Sequence, residues 1–139
     1  MPFDLAALTS TPDIRNVPEL HARIVCALRY THIARSRKCY CAQRLAEHLG
    51  TPGAVRRFHV FLDEFGRALP EPIALNPPCQ PRMSYDEMLM VDCATAAAKD
   101  DRETYDYFLR DMVGESGRYA IWFAARRLMK AMGIATRSE

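Results

Sequence analysis

The chain reads as an all-α protein, a compact bundle of five to six helices with an ordered proline-rich loop between two helical halves. Three observations predict this. Apolar residues recur at helical spacing along most of the sequence. Caps and stop signals punctuate that period. No stretch alternates polar and apolar residues as a strand would. At 139 residues the chain makes one domain, large enough to bury a core. No internal repeat or low-complexity segment is visible.

Residues 1–15 read as an N-terminal arm, an apolar patch (Phe3, Leu5, Leu8) followed by turn residues. Asn16 is expected to cap the first helix, with Pro18 in its first turn and Glu19 at the third position of an Asn-x-x-Glu box. Leu20, Ile24, Ala27, Leu28 and Thr31 then recur at helical spacing. No Gly or Pro interrupts residues 19–49, and Ala34, Ala42, Leu45 and Leu49 nearly continue the period. One kinked helix and two separate helices both fit residues 17–49. A break is expected near Thr31–Lys38, where Arg35-Ser36-Arg37-Lys38 crowds like charges. Gly50 lies just past the end of the second piece. Thr51-Pro52 opens a third helix over 52–65, whose stripe is Val55, Phe58, Phe61, Leu62 and Phe65. Gly66 is expected to close it.

The segment from Arg67 to Met83, RALPEPIALNPPCQPRM, carries five prolines (Pro70, Pro72, Pro77, Pro78, Pro81) and no regular period. A structureless connection of this length is uncommon in a compact domain. Leu69, Ile73, Leu75 and Met83 are apolar side chains that want cover. Proline removes backbone donors and fixes φ, so the segment can lie on a helical body with few groups unpaired. It is expected to be an ordered strap. Ile73, Leu75 and Met83 should insert against the helices, with Arg82 gathering backbone carbonyls or pairing an acid such as Glu87.

Ser84-Tyr85-Asp86-Glu87 predicts a capping box. A helix follows over 85–99, alanine-rich from Ala94 to Ala98. Asp100-Asp101 starts another, with Tyr105, Phe108, Leu109 and Met112 on one face and Gly114 stopping it. The last helix, about 117–132, is apolar over a wide arc (Tyr119, Ile121, Trp122, Phe123, Ala125, Leu128, Met129). It is expected to be the most buried, with Gly133 at its end.

The net charge of +2 hides an asymmetry. Nine Lys or Arg face two acids between Arg15 and His59, and nine acids face three bases between Ser84 and Glu115. Basic and acidic segments are expected to pack side by side. The alternative is a basic face for DNA, built from Arg35, Arg37, Lys38, Arg56 and Arg57 on a helix–turn–helix-like hairpin at 41–65. Gln43 to Phe58 has the Leu-Ala-x-x-x-Gly of that motif, with Ala46 four residues before Gly50. Its second helix is out of step: core positions should fall at Arg56 and His59, whereas the apolar residues are Val55 and Phe58.

Five cysteines (Cys26, Cys39, Cys41, Cys79, Cys93) are an odd number and are expected to be reduced thiols. Their spacing matches no recognised metal site, and in a helix Cys39 and Cys41 would point apart. No metal or other cofactor is expected. No catalytic signature is present, neither a nucleophile elbow nor a zincin, P-loop or dinucleotide motif. No apolar run approaches the ~20 residues of a membrane span. Asp4 stands where a signal peptide would be basic, so a cytoplasmic location is expected.

Phe65-Gly66, Pro72-Ile73-Ala74, Pro78-Cys79-Gln80-Pro81-Arg82-Met83 and Glu87 together resemble a small bacterial family, a domain of unknown function, over about residues 27–100. That family clusters cysteines in this loop, where the present strap has one. The resemblance implies fold and compartment and brings no activity. The sequence therefore points to a small non-enzymatic regulatory or protein-interaction protein, binding a protein partner or itself, with Cys79, Arg82 and Met83 as candidate contact residues. DNA binding is the alternative, and a thiol or metal sensor the second alternative.

Overall fold

The structure, a computed structural model, describes residues 11–134. Among them are six α-helices and no strand: α1 Glu19–Ser36, α2 Ala42–Leu49, α3 Val55–Ala68, α4 Tyr85–Ala98, α5 Arg102–Leu109 and α6 Glu115–Ala131. Short 3-10 turns at Ile14–Asn16 and Pro52–Ala54 lead into α1 and α3. The all-α expectation holds, and residues 17–49 make two helices.

The break between α1 and α2 lies at residues 37–41. Lys38 there is left-handed, φ 55°, which ends α1 where the like charges crowd. Gly50 ends α2 at φ 90°, its N–H on the Ala46 carbonyl. Glycine adopts this conformation without the Cβ clash other residues meet.

Three expected boundaries move. Asn16 sits in the 3-10 turn and Pro18 occupies the cap of α1, because Asp13 accepts from the Arg15 N–H and takes the capping role one turn early. Gly66 does not close α3, which runs on to Ala68. Its φ is ordinary, and a Cβ there would reach only the tip of Ile73 at 4.0 Å, so nothing forces a stop. Gly114 does not stop α5, which ends at Leu109; it caps α6 instead, in extended conformation.

The core is built on α6, packed against α3 and α4, with α1 against α2 and α4. Phe58, Phe61 and Phe65 of α3 are fully buried, as are Ile121, Ala125 and Leu128 of α6. Each such Phe or Leu contributes about 1.5–3 kcal/mol of transfer free energy. Ala94, Ala96, Ala97 and Ala98 are buried on α4, and such small side chains let helix axes approach. At the start of α6, a Cβ on Gly117 would meet Val113 at 2.8 Å and Ala68 at 3.4 Å, so the helix abuts its neighbours there. Trp122 is 7% exposed. The apolar arc of α6 is narrower than the sequence suggests, because Tyr119 and Phe123 are exposed. Their rings stack on each other, and the Arg102 guanidinium lies 4.3 Å from the Tyr119 ring centroid. Met112 is exposed too, outside the face of Tyr105 and Leu109.

The strap is ordered against the helices from Leu69 onward; Arg67 and Ala68 are still helical. Ile73 and Leu75 pack half-buried on the core, and Met83 is buried. The Ile14 N–H donates to the Pro81 carbonyl (2.7 Å) and the Met83 N–H to the Pro12 carbonyl (3.0 Å). These two bonds make an isolated antiparallel bridge between Asp13 and Arg82. The arginine that gathers the strap is Arg29 of α1, 2% exposed. Its Nη1 donates to the Gln80 carbonyl (2.6 Å) and its Nη2 to the Arg82 carbonyl (2.9 Å). Nε and Nη2 also pair both oxygens of the buried Glu87 at 2.8 and 2.9 Å. Glu87 in turn accepts the N–H groups of Asn76 and Ser84, the second being half of the expected capping box. Of the two kinds of partner expected for Arg82, a backbone carbonyl is found, its Nη1 donating to that of Thr11 (2.8 Å), while Glu87 is held by Arg29. The first helix supplies the buried cation, and the strap's own arginine ties down Thr11.

Candidate functional site

The sequence places Thr51, Pro52 and the apolar stripe of α3 directly after α2, so the two helices form a hairpin. Thr51 caps the turn by accepting from the Gly53 N–H (3.3 Å). Phe58 and Leu45 point inward and are fully buried. The outward side of the hairpin holds a groove of about 670 Å³. Its floor is apolar, from Ala42 and Ala46 of α2 and Val55 and Val60 of α3, and Arg56 and Asp63 stand at its rim. Val60 is exposed. It lies off the stripe that the period identifies as core.

His59 lines the same groove and locks it to α1. Its Nδ1 lies 2.8 Å from Arg35 Nη2, and its Nε2 lies 2.7 Å from the Tyr40 hydroxyl. Arginine can only donate, so Nδ1 accepts, the ring proton sits on Nε2, and the Tyr40 oxygen accepts it. Burial lowers the His59 pKa below 6.5, and the neighbouring Arg35 charge lowers it further, which keeps the ring neutral. Tyr40 is raised above its ordinary value by burial and by Tyr30 beside it. Sequence reasoning met His59 as an expected core position of the helix–turn–helix alternative; Tyr40, nineteen positions away, gave no local sign of being its partner.

Of the basic residues of the DNA alternative, Arg56 lines this groove and Arg35 contacts its His59 and Asp63. Arg35, Arg37 and Lys38 are exposed at the end of α1, and Arg56 and Arg57 in the first turn of α3. Arg35 is partly committed, to His59 and, at 3.8 Å, to Asp63. Position 56 is exposed and Phe58 is buried, so the hairpin keeps its core one step earlier than a helix–turn–helix would. Basic and acidic segments do meet elsewhere: Asp106 accepts from Arg102 and Arg118, and Arg126 lies 3.6 Å from Asp100.

Cys79, Arg82 and Met83 are not brought together as a surface cluster. Cys79 is exposed at the strap turn, Arg82 is bonded to Thr11, and the Met83 side chain is in the core. Among the described residues no three His, Cys, Asp or Glu side chains are placed to hold a metal ion. Cys93 is buried, and burial raises its thiol pKa strongly. No helix among the described residues is long and apolar enough to cross a membrane. Comparison with protein-family models, curated proteins and solved structures returned no match.

Proposed function

We propose that this is a non-enzymatic, cytoplasmic partner-binding protein whose α2–α3 groove seats an acidic amphipathic helix from another protein. The observation that carries the reading is the groove itself, an exposed apolar floor with Arg56 in its lining and Arg35 beside it. Arg35 reaches it through His59 and Asp63 of that lining. A partner helix lays an apolar stripe into such a groove through residues at i, i+3/i+4 and i+7. Glu or Asp on the flanks of that stripe would meet the bordering cations, which steers encounter and fixes orientation. The apolar floor favours this over DNA, whose phosphates would gain nothing from Ala42, Ala46, Val55 and Val60. Free thiols support the cytoplasm as the working compartment.

The test is fluorescence anisotropy with a synthetic amphipathic peptide carrying leucines on one face and glutamates beside them. Val60→Asp should abolish binding, and Arg56→Glu should weaken it and flatten its salt dependence. Peptide binding indifferent to Val60→Asp would reject the groove. A duplex DNA complex that survives physiological salt, with no peptide binding, would put the DNA reading in its place.

A further inference from the structure

A second cavity, of about 250 Å³, lies between the end of α1, the start of the α1–α2 turn and the strap. One wall is a single face of α1, with Cys26, Tyr30 and Ile33 at helical spacing. Cys39, His48 and Pro78 of the strap complete the lining. Two of the five thiols therefore share one small apolar chamber with an imidazole. Cys26 is half-buried and Cys39 exposed. Arg29 also borders the cavity, but its guanidinium nitrogens are committed to Gln80, Arg82 and Glu87. It brings only its alkyl stem. The chamber thus presents no uncommitted charge and asks for a neutral ligand. The His48 ring lies tilted against Tyr30, ring centroids 5.3 Å apart; among the described residues its ring nitrogens bond no other group. Tyr30 cannot serve as the polar handle, since its hydroxyl donates to the Cys41 carbonyl and accepts the Cys41 N–H.

We propose that this chamber is a capture site for a small, neutral α,β-unsaturated carbonyl compound, with Cys39 as the nucleophile. The apolar body of the ligand rests on Ile33, Tyr30 and Pro78, and the His48 ring donates to its carbonyl oxygen. The Cys39 sulfur adds to the β-carbon: an S–C bond forms, the C=C becomes a single bond, and the thiol proton ends on the α-carbon. Nothing is oxidised or reduced overall, and no co-reactant is needed. A ring of six or seven heavy atoms fits, since cavities of about 150 Å³ already hold benzene. The site differs from the α2–α3 groove and does not depend on it.

The experiment uses the full chain and 2-cyclohexenone, with adducts mapped by peptide mass spectrometry over time. Cys41 and Cys79 are exposed thiols of the same molecule and serve as internal controls. Cys39 labelling should rise to a plateau with probe concentration, whereas Cys41 and Cys79 labelling should rise linearly. Cyclohexanone, which cannot add, should slow Cys39 alone. Ile33→Phe, which fills the chamber, should abolish the plateau while leaving helical circular dichroism unchanged. His48→Phe should lower the plateau rate at least threefold without touching the controls. If Cys39 labels linearly and cyclohexanone has no effect, or if Ile33→Phe keeps the plateau, the proposal is overturned.

Discussion

Replacing Arg29 by Ala should be among the most damaging substitutions in the protein. The side chain is 2% exposed and the Glu87 it pairs is fully buried. Removing it leaves a carboxylate in the interior with only the N–H groups of Asn76 and Ser84, and the Gln80 carbonyl loses the bond that Arg29 supplied. Breaking a buried pair from one side costs about 3–5 kcal/mol. That is a large fraction of the ~5–15 kcal/mol that holds a domain folded. For a chain of this length it lowers the melting temperature by roughly 10–20 °C. Trp122 is the single tryptophan and is buried, so urea unfolding read by its fluorescence gives the free energy directly. Arg82→Ala, at about 1–3 kcal/mol, should cost less than Arg29→Ala. The double variant Arg29→Met/Glu87→Leu leaves no lone buried charge. Its cost should fall short of the sum of the two single costs by at least ~1 kcal/mol. Strictly additive losses, or an Arg29→Ala variant no worse than Arg82→Ala, would refute the idea that Arg29 is what fastens the strap.

Gly50→Ala should cost about 1–2 kcal/mol, the penalty for an L-residue in left-handed conformation, because φ is 90° and the new Cβ would also push Arg23 Nη1 from 2.5 Å; an unchanged urea midpoint would contradict it. Ser84→Ala should cost roughly 1–2 kcal/mol, a full N-cap, since its hydroxyl accepts from the Glu87 N–H and donates to the Ala74 carbonyl; amide exchange in the first turn of α4 should accelerate accordingly. His21 and His59 are both lowered below 6.5, chiefly by burial, so the unfolded chain binds protons first. Stability should be fully present above pH 6.5 and fall as pH drops below it. The fall should be smaller in the His21→Gln/His59→Gln variant, and a midpoint flat across this range in the parent would reject the assignment.

The helices were legible because their signals are local. The stripe of Phe58, Phe61 and Phe65, the Ser84 capping box and the Gly50 stop each need only a few adjacent residues. That the proline segment would be an ordered strap was legible too, from proline count and apolar content. Which arginine holds it was not. Arg29 lies 58 residues from Glu87 and 51 from Gln80, in the middle of a helix where the period gives a charged residue no special mark. Arg82 drew attention because it stands inside the strap, and proximity in sequence is a poor guide to a tertiary pair. Asn16 and Gly66 misled for a related reason: each carries a boundary propensity that tertiary context overrode. The site was less legible still. Val60 looked like an unremarkable helix residue, and the meeting of Tyr40, His59 and Arg35 depends on the turn at Lys38, whose left-handed backbone has no strong sequence mark. The chamber beside Cys39 needs α1, α2 and the strap to be in place before it exists.

Arg29 also has a consequence for the order in which the molecule can be completed. During synthesis the first three helices leave the ribosome well before residues 80–87. Until then the guanidinium of α1 has none of the partners it will be buried with. Loop closure over 51–58 residues must be met before those bonds give anything back. Until the strap and the first turn of α4 are in place, this cation lacks the carboxylate and carbonyls that offset its burial. Closure over so long a loop is expected late in folding, so weakening these contacts should speed unfolding more than it slows folding. The lifetime of the native protein, rather than its rate of formation, is where Arg29 makes itself felt.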